Sequence, residues 1–249
     1  MRPLIIAHRG ASYAALENTI PAFEEAVRLG CDGVEFDVRL TLDNEVVVFH
    51  DEALKRIFGI DEAVRDIPYV RLQMLTDNKI PRLSCVLDVV RDLKIINIEL
   101  KIDGRFSGLL EEKVLKIVKD KGILEKVLFS SFNPVSLGII KRLEKRARVG
   151  FLFDKDAFYK ELGTLISSFL GGESVNPHFL LLNDFMMMHY REWGLKVYTW
   201  TVDRRSDIKE MMRLGVDGII TNRPDIAMKI KPFKPYRVSR ELEPSYWED

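Results

Sequence analysis

Two short runs in this sequence set acidic side chains on one face of an extended chain. Gly33-Val34-Glu35-Phe36-Asp37-Val38-Arg39 alternates without a break. A period of two puts Val34, Phe36 and Val38 on one face and Glu35, Asp37 and Arg39 on the other. Asn97-Ile98-Glu99-Leu100-Lys101 repeats the pattern. If the apolar faces meet helices, Glu35, Asp37 and Glu99 point into a closed interior. Carboxylates there need a cation to offset their repulsion and lost hydration. Hard oxygen ligands with room for water suit one divalent cation, Mg²⁺ or Ca²⁺. Lys101 adds a mobile point charge suited to a phosphate oxygen. His8-Arg9-Gly10 ends the first apolar run: Gly10 permits a tight turn, and the Arg9 fork matches a phosphate.

These groups must be positioned by regular elements. Strand-like runs occur at 4–7, 34–40, 46–49, 95–100, 127–130, 149–153, 179–182, 196–202 and 218–221. Helical patterns lie between them at 21–29, 83–92, 109–121, 134–145, 158–169 and 206–214. Strand then helix, repeated, predicts a parallel sheet wrapped by helices and closed as an α/β barrel of eight strands. The run 46–49 is the extra one, because it follows 34–40 too closely for a crossover helix. It reads as an antiparallel return through a hairpin with Asp43-Asn44 at its tip. That register places His50 directly opposite Asp37, on the same face; a slip of one residue would turn it to the other. His8 stands at a strand's carboxyl end, where barrels of this kind place their chemistry.

Residues 51–81 break the rhythm and read as a small insertion over the barrel mouth. Residues 1–230 are expected to form one barrel domain, followed by a charged tail over 231–249 dotted with Phe233, Tyr236, Tyr246 and Trp247. Asn18 or Thr19 is a natural cap for the helix containing Pro21.

Composition narrows the function classes. The 249 residues carry 38 basic and 38 acidic side chains, so no net field favours nucleic acid or an acidic membrane. Cys31 and Cys85 show no paired spacing, which argues against a disulfide framework or a zinc site. No apolar run is long enough to cross a bilayer, and no leader pattern precedes the first strand, so a cytoplasmic protein without stable membrane insertion is expected.

Each alternating strand, alone, would equally fit a surface strand with one wet face. His178 and His189 read better as structural histidines, Met186-Met187-Met188 as gap-filling core, and Trp200, on composition, as core. The decisive feature is convergence. His8, Glu35, Asp37, His50, Glu99 and Lys101 all fall at strand ends on the inferred inner side.

Taken together, these residues resemble the glycerophosphodiester phosphodiesterase family. The likeness runs in order through His8-Arg9-Gly10, Glu17-Asn18-Thr19, Glu35-Phe36-Asp37-Val38, His50-Asp51, Ile98-Glu99-Leu100-Lys101, Ser130-Ser131-Phe132, Trp200-Thr201-Val202-Asp203 and the stretch from Gly215 to Asn222. It implies a distorted barrel holding one divalent cation at Glu35, Asp37 and Glu99. It implies that His8 and His50 are general acid and base, and that Arg9 and Lys101 grip the phosphate of a small phosphodiester. Trp200 then resembles an aromatic wall beside the substrate, against its composition-only reading. The likeness departs at Asn222, where members usually carry Asp; that position is not among the principal ligands. The short insertion leaves the mouth open, so an alternative is a lysophospholipase D using the same site, with the aromatic tail beside it. A barrel that binds without catalysis would be expected to lack one of these histidines or carboxylates.

Overall fold

The computed structural model describes residues 2–102, 108–156 and 162–230. Eight strands run parallel and close on themselves: β1 (Leu4–His8), β2 (Gly33–Leu40), β4 (Ile95–Leu100), β5 (Val127–Ser131), β6 (Arg148–Phe153), β7 (Ser174–Pro177), β8 (Lys196–Thr199) and β9 (Gly218–Thr221). Pairing of β1 with both β2 and β9 completes the barrel, and β3 (Val46–Val48) lies outside, antiparallel to β2. Helices α1 (Ile20–Arg28), α4 (Leu83–Val90), α5 (Leu109–Asp120), α6 (Pro134–Leu143), α7 (Gly163–Phe169), α8 (Asp184–Glu192) and α9 (Arg205–Leu214) alternate with the strands.

Strand alternation sorts the side chains. Val34, Phe36, Val38, Ile98 and Leu100 join the main core between barrel and helices. Inside the barrel, Ile6, Ile95, Leu128, Tyr198 and Ile220 form an apolar plug. The insertion folds as α2 (Lys55–Phe58), a 3₁₀ turn at Val64–Asp66 and α3 (Tyr69–Leu75), over its own cluster of Val47, Phe49, Leu54, Val64, Ile67, Leu72 and Ile80. Both cysteines are free, and among the described residues no helix is long and apolar enough to cross a membrane.

Three expectations are corrected. Strand β7 lies at Ser174–Pro177, whereas Phe179–Leu181 is a 3₁₀ turn capped by the His178 ring, with Leu180 62% exposed. The apolar run was the more strand-like by composition, but Ser174–Pro177 contains only one β-branched residue and buries polar side chains that bond each other. Helix α8, capped by Asn183, has no counterpart in the expected elements; of its three methionines, Met187 is core and Met188 is half exposed. The hairpin register also differs. Val38 pairs with Val48 and Asp37 with Phe49, so His50 is not opposite Asp37. The loop holds three residues, Leu42-Asp43-Asn44, because Asn44 adopts a left-handed conformation (φ 61°) that closes Thr41 N–H onto the Glu45 carbonyl. The amino-terminal part of the expected helix 158–169 and the tail 231–249 fall outside the described residues.

Candidate active site

Strand register brings the acidic groups together. His8 lies abreast of Glu35, and Asp37 abreast of Glu99. One oxygen each from Glu35, Asp37 and Glu99 falls within 4.8 Å of the others, and all three residues are buried. Burial, then Asp37 and Glu99, hold the Glu35 carboxyl well above its usual range. Burial drives Glu99 up to about 7, with Lys101 offsetting part of it. Burial also opposes ionisation of Asp37, but Lys101, Arg9 and His50 outweigh it and keep that carboxyl below its usual range. Glu35 Oε2 is buried without a hydrogen-bond partner, and Asp37 Oδ1 faces only the Lys101 ammonium, 3.2 Å away. Carboxylate oxygens gathered within 4.8 Å, on carboxyls that resist sharing negative charge, fit a bound divalent cation.

Cations of the protein surround the cluster. Lys101 Nζ stands 2.5 Å from Glu99 Oε1 and 3.2 Å from Asp37 Oδ1. Arg9 has a left-handed backbone (φ 58°), with its N–H on the Glu35 carbonyl and Nε 3.4 Å from Asp37 Oδ2. The next residue must be glycine: Gly10 has φ +79°, and a Cβ there would stand 2.7 Å from the Ala22 backbone. Asn18, also left-handed, donates from Nδ2 to Asp37 Oδ2 at 3.0 Å, so it serves the site and not helix α1. Thr19 occupies the cap position, but its hydroxyl bonds Leu16 O instead of capping.

His50 reaches the same cavity by a different route. It follows the end of β3, and the Arg39 guanidinium clamps its carbonyl through Nε at 2.9 Å and a terminal nitrogen at 2.8 Å. Its Nδ1 meets Asp51 Oδ1 at 2.6 Å. Asp51 pairs with Arg56, Arg56 with Glu17, and Glu17 with Arg9, so a chain of ion pairs ties the insertion to the loop after β1. His8 Nδ1 instead meets Asn222 Oδ1 at 2.7 Å, and Asn222 Nδ2 donates to Asp203 Oδ2 at 2.8 Å. A carboxylate can only accept, so Asp203 dictates the amide orientation and thereby the His8 tautomer, with the proton on Nδ1. Burial, then Arg9, push the His8 imidazole down to about 4. Burial lowers His50 too, against the pull of Asp37 and Asp51.

His8, Arg9, Glu35, His50, Glu99, Lys101 and Trp200 line one cavity of about 220 Å³, and Asp37 adjoins it through Arg9 and Lys101. Trp200 donates from Nε1 to Asn176 O and stacks edge-on with Phe132, forming an apolar wall. His178 packs on Trp200, and His189 on Tyr190 and Trp193, and neither lines the cavity. Sequence reasoning passed over Asn222, Asp203 and Asp51 as parts of the site. The available signals were the adjacency of Asp51 to His50 and the place of Asn222 directly after β9, next to β1.

The family model for the glycerophosphoryl diester phosphodiesterase family matches residues 8–226. A glycerophosphodiester phosphodiesterase of Caldanaerobacter subterraneus subsp. tengcongensis is 32% identical over 92% of this chain and 98% of its own. A crystal structure of a glycerophosphodiester phosphodiesterase from Thermotoga maritima superposes with a TM-score of 0.80 at 33% identity, covering 93% of this chain and 99% of that one. An Oleispira antarctica phosphodiesterase, solved in complex with the product sn-glycerol-3-phosphate, has a TM-score of 0.80 at 25% identity, covering 91% and 96%. The acidic cluster, the two braced imidazoles and the barrel that carries them thus belong with a match running almost the whole length of the barrel, and the chain belongs to the glycerophosphoryl diester phosphodiesterase family.

Proposed function

We propose that this chain hydrolyses glycerophosphodiesters to glycerol phosphate and an alcohol, with Glu35, Asp37 and Glu99 holding one divalent cation, Mg²⁺ or Ca²⁺. The observation that carries the reading is the buried triad of carboxylate oxygens within 4.8 Å, placed in one cavity with two imidazoles. When bound, the cation would offset charge on the phosphate. Arg9 and Lys101 bind phosphate oxygens, the first as a fork and the second as a point charge. Both histidines are engaged at Nδ1, by Asn222 and by Asp51, which leaves Nε2 of each to handle a proton. One Nε2 takes the proton of the attacking hydroxyl, and the other protonates the departing alkoxide. Trp200 and Phe132 shield one side of the substrate from water.

The cation claim is tested by calorimetry on ion-free protein with Mg²⁺ and with Ca²⁺. A carboxyl whose pKa is raised keeps its proton below that pKa, so an incoming ion must displace it. At pH 6, Glu99 is the group concerned, and release of roughly one proton per ion is expected, declining as the pH rises through about 7. Glu35→Gln combined with Asp37→Asn should abolish the binding. Unchanged glycerophosphocholine hydrolysis in excess chelator would sink the proposal. Lysophosphatidylcholine assayed in parallel tells whether the open mouth admits an acyl chain.

A further inference from the structure

The charged groups of the cavity account for phosphate and cation, but two uncharged side chains at its wall have no such task. Asn97 on β4 lies abreast of Glu35, and Ser130 on β5 lies abreast of Glu99. Both line the cavity, at 1% and 0% exposure. Among the described residues, nothing hydrogen-bonds Asn97 Oδ1, Asn97 Nδ2 or Ser130 Oγ. Several other buried polar groups on the barrel strands do find partners: Ser131 Oγ on Leu100 O, Ser174 Oγ on Asn176 Oδ1, and Thr199 Oγ1 on Pro177 O, while Asn176 Nδ2 has none. Buried amides and hydroxyls without partners are costly, and they persist where a ligand supplies the bond.

The chemistry of the missing partner follows from the groups themselves. Asn97 offers two donors and an acceptor, and Ser130 offers one donor and acceptor capacity. A phosphate oxygen, which only accepts, would leave Asn97 Oδ1 unpaired, and a cation would leave Asn97 Nδ2 unpaired, so neither alone satisfies the pair. An alcohol hydroxyl both donates and accepts. The apolar plug of Ile6, Ile95, Leu128, Tyr198 and Ile220 fills the barrel interior, and Phe132, Leu152 and Trp200 form the apolar side of the cavity. A short polyol could therefore set its carbons against the aromatic wall and its oxygens on Asn97 and Ser130. In a glycerophosphodiester, the half that always carries free hydroxyls is glycerol. Resting on the functional reading above, we propose that Asn97 and Ser130 form the glycerol-recognition element of this site, hydrogen-bonding a hydroxyl of that half.

The test compares two diesters with the cation-loaded enzyme: glycerophosphocholine, and bis(4-nitrophenyl) phosphate, which has no hydroxyl to recognise. The readout is the ratio of kcat/KM for the first over the second. Asn97→Leu should lower this ratio by ~10-fold or more, and Ser130→Ala by about threefold, because a wall built to bond a hydroxyl loses its preference once the bond is gone. Ser130→Ala removes a single oxygen and keeps the test decisive should Asn97→Leu fold poorly. A ratio unchanged in Ser130→Ala and in any folded Asn97→Leu protein, with both substrates declining together, would mean that the pair holds water or braces the carboxylates, and overturns the inference alone. Wild-type protein that cleaves bis(4-nitrophenyl) phosphate but not glycerophosphocholine would overturn the functional reading, and this inference with it.

Discussion

The two histidines face one cavity but hang from different parts of the molecule. His8 belongs to the barrel wall, is 16% exposed, and is braced by a neutral amide that Asp203 holds in turn. His50 stands where the insertion begins, is 32% exposed, and is braced by a carboxylate in a chain of ion pairs. A neutral amide oxygen fixes a tautomer and favours the charged ring only modestly, whereas a carboxylate favours imidazolium more strongly. The difference predicts unequal proton affinity: His8 enters the reaction neutral and ready to accept, and His50 is the better proton holder. Its second lesson concerns rigidity. The His8 brace is built from strand ends, while the His50 brace includes Arg56, which is 47% exposed and open to screening.

The largest effects should come from removing either ring. His8→Ala and His50→Ala are each expected to cost ~10²–10⁴-fold in kcat on glycerophosphocholine. Near wild-type turnover in one of them would take that residue out of the mechanism and end the comparison. Changing the braces should sharpen it. Asn222→Asp puts a charge behind His8 and raises its pKa from about 4, so the acid limb of the kcat/KM profile should move to higher pH by roughly one unit. Asp51→Asn removes a charge behind His50, lowers its pKa further, and should move the alkaline limb down, with kcat reduced ~10-fold or more. Limbs moving the other way round would exchange the two roles. The smallest effect is expected at Arg56→Ala, about two- to fivefold in kcat, and partly mimicked in wild type by high salt, since an exposed ion pair contributes roughly 0–1 kcal/mol. No salt dependence of kcat would show that the ion-pair chain does not steady His50.

How far the sequence could be read depended on whether position followed from a local rule. Alternation along β2 and β4 was enough to put Glu35, Asp37 and Glu99 on one inner face, because strand geometry forces it once the apolar face is known. His50 shows the opposite case. A two-residue turn would have set it opposite Asp37; Asn44 instead adds a residue to the loop, and the Arg39 clamp on the His50 carbonyl brings the segment to the cavity without help from register. Strand β7 was hidden because its inner side chains are polar, with Ser174 Oγ donating to Asn176 Oδ1 inside the barrel, which no apolar pattern announces. Asn222 sat in plain view but gained its meaning only from closure of the barrel, which sets β9 beside β1.

Composition, alternation and motif order therefore determined the barrel class, the extra hairpin strand and which acidic side chains turn inward, since each follows from backbone period and the exclusion of charge from helix-facing positions. Closure decided the rest. Only when β1 meets both β2 and β9 do residues more than two hundred positions apart, such as His8 and Asn222, come within a hydrogen bond, and only there do burial and neighbouring charges together set how tightly each carboxyl and imidazole holds its proton. Hydrogen bonding and desolvation depend on distance and surroundings in three dimensions, which strand period and helix period do not encode.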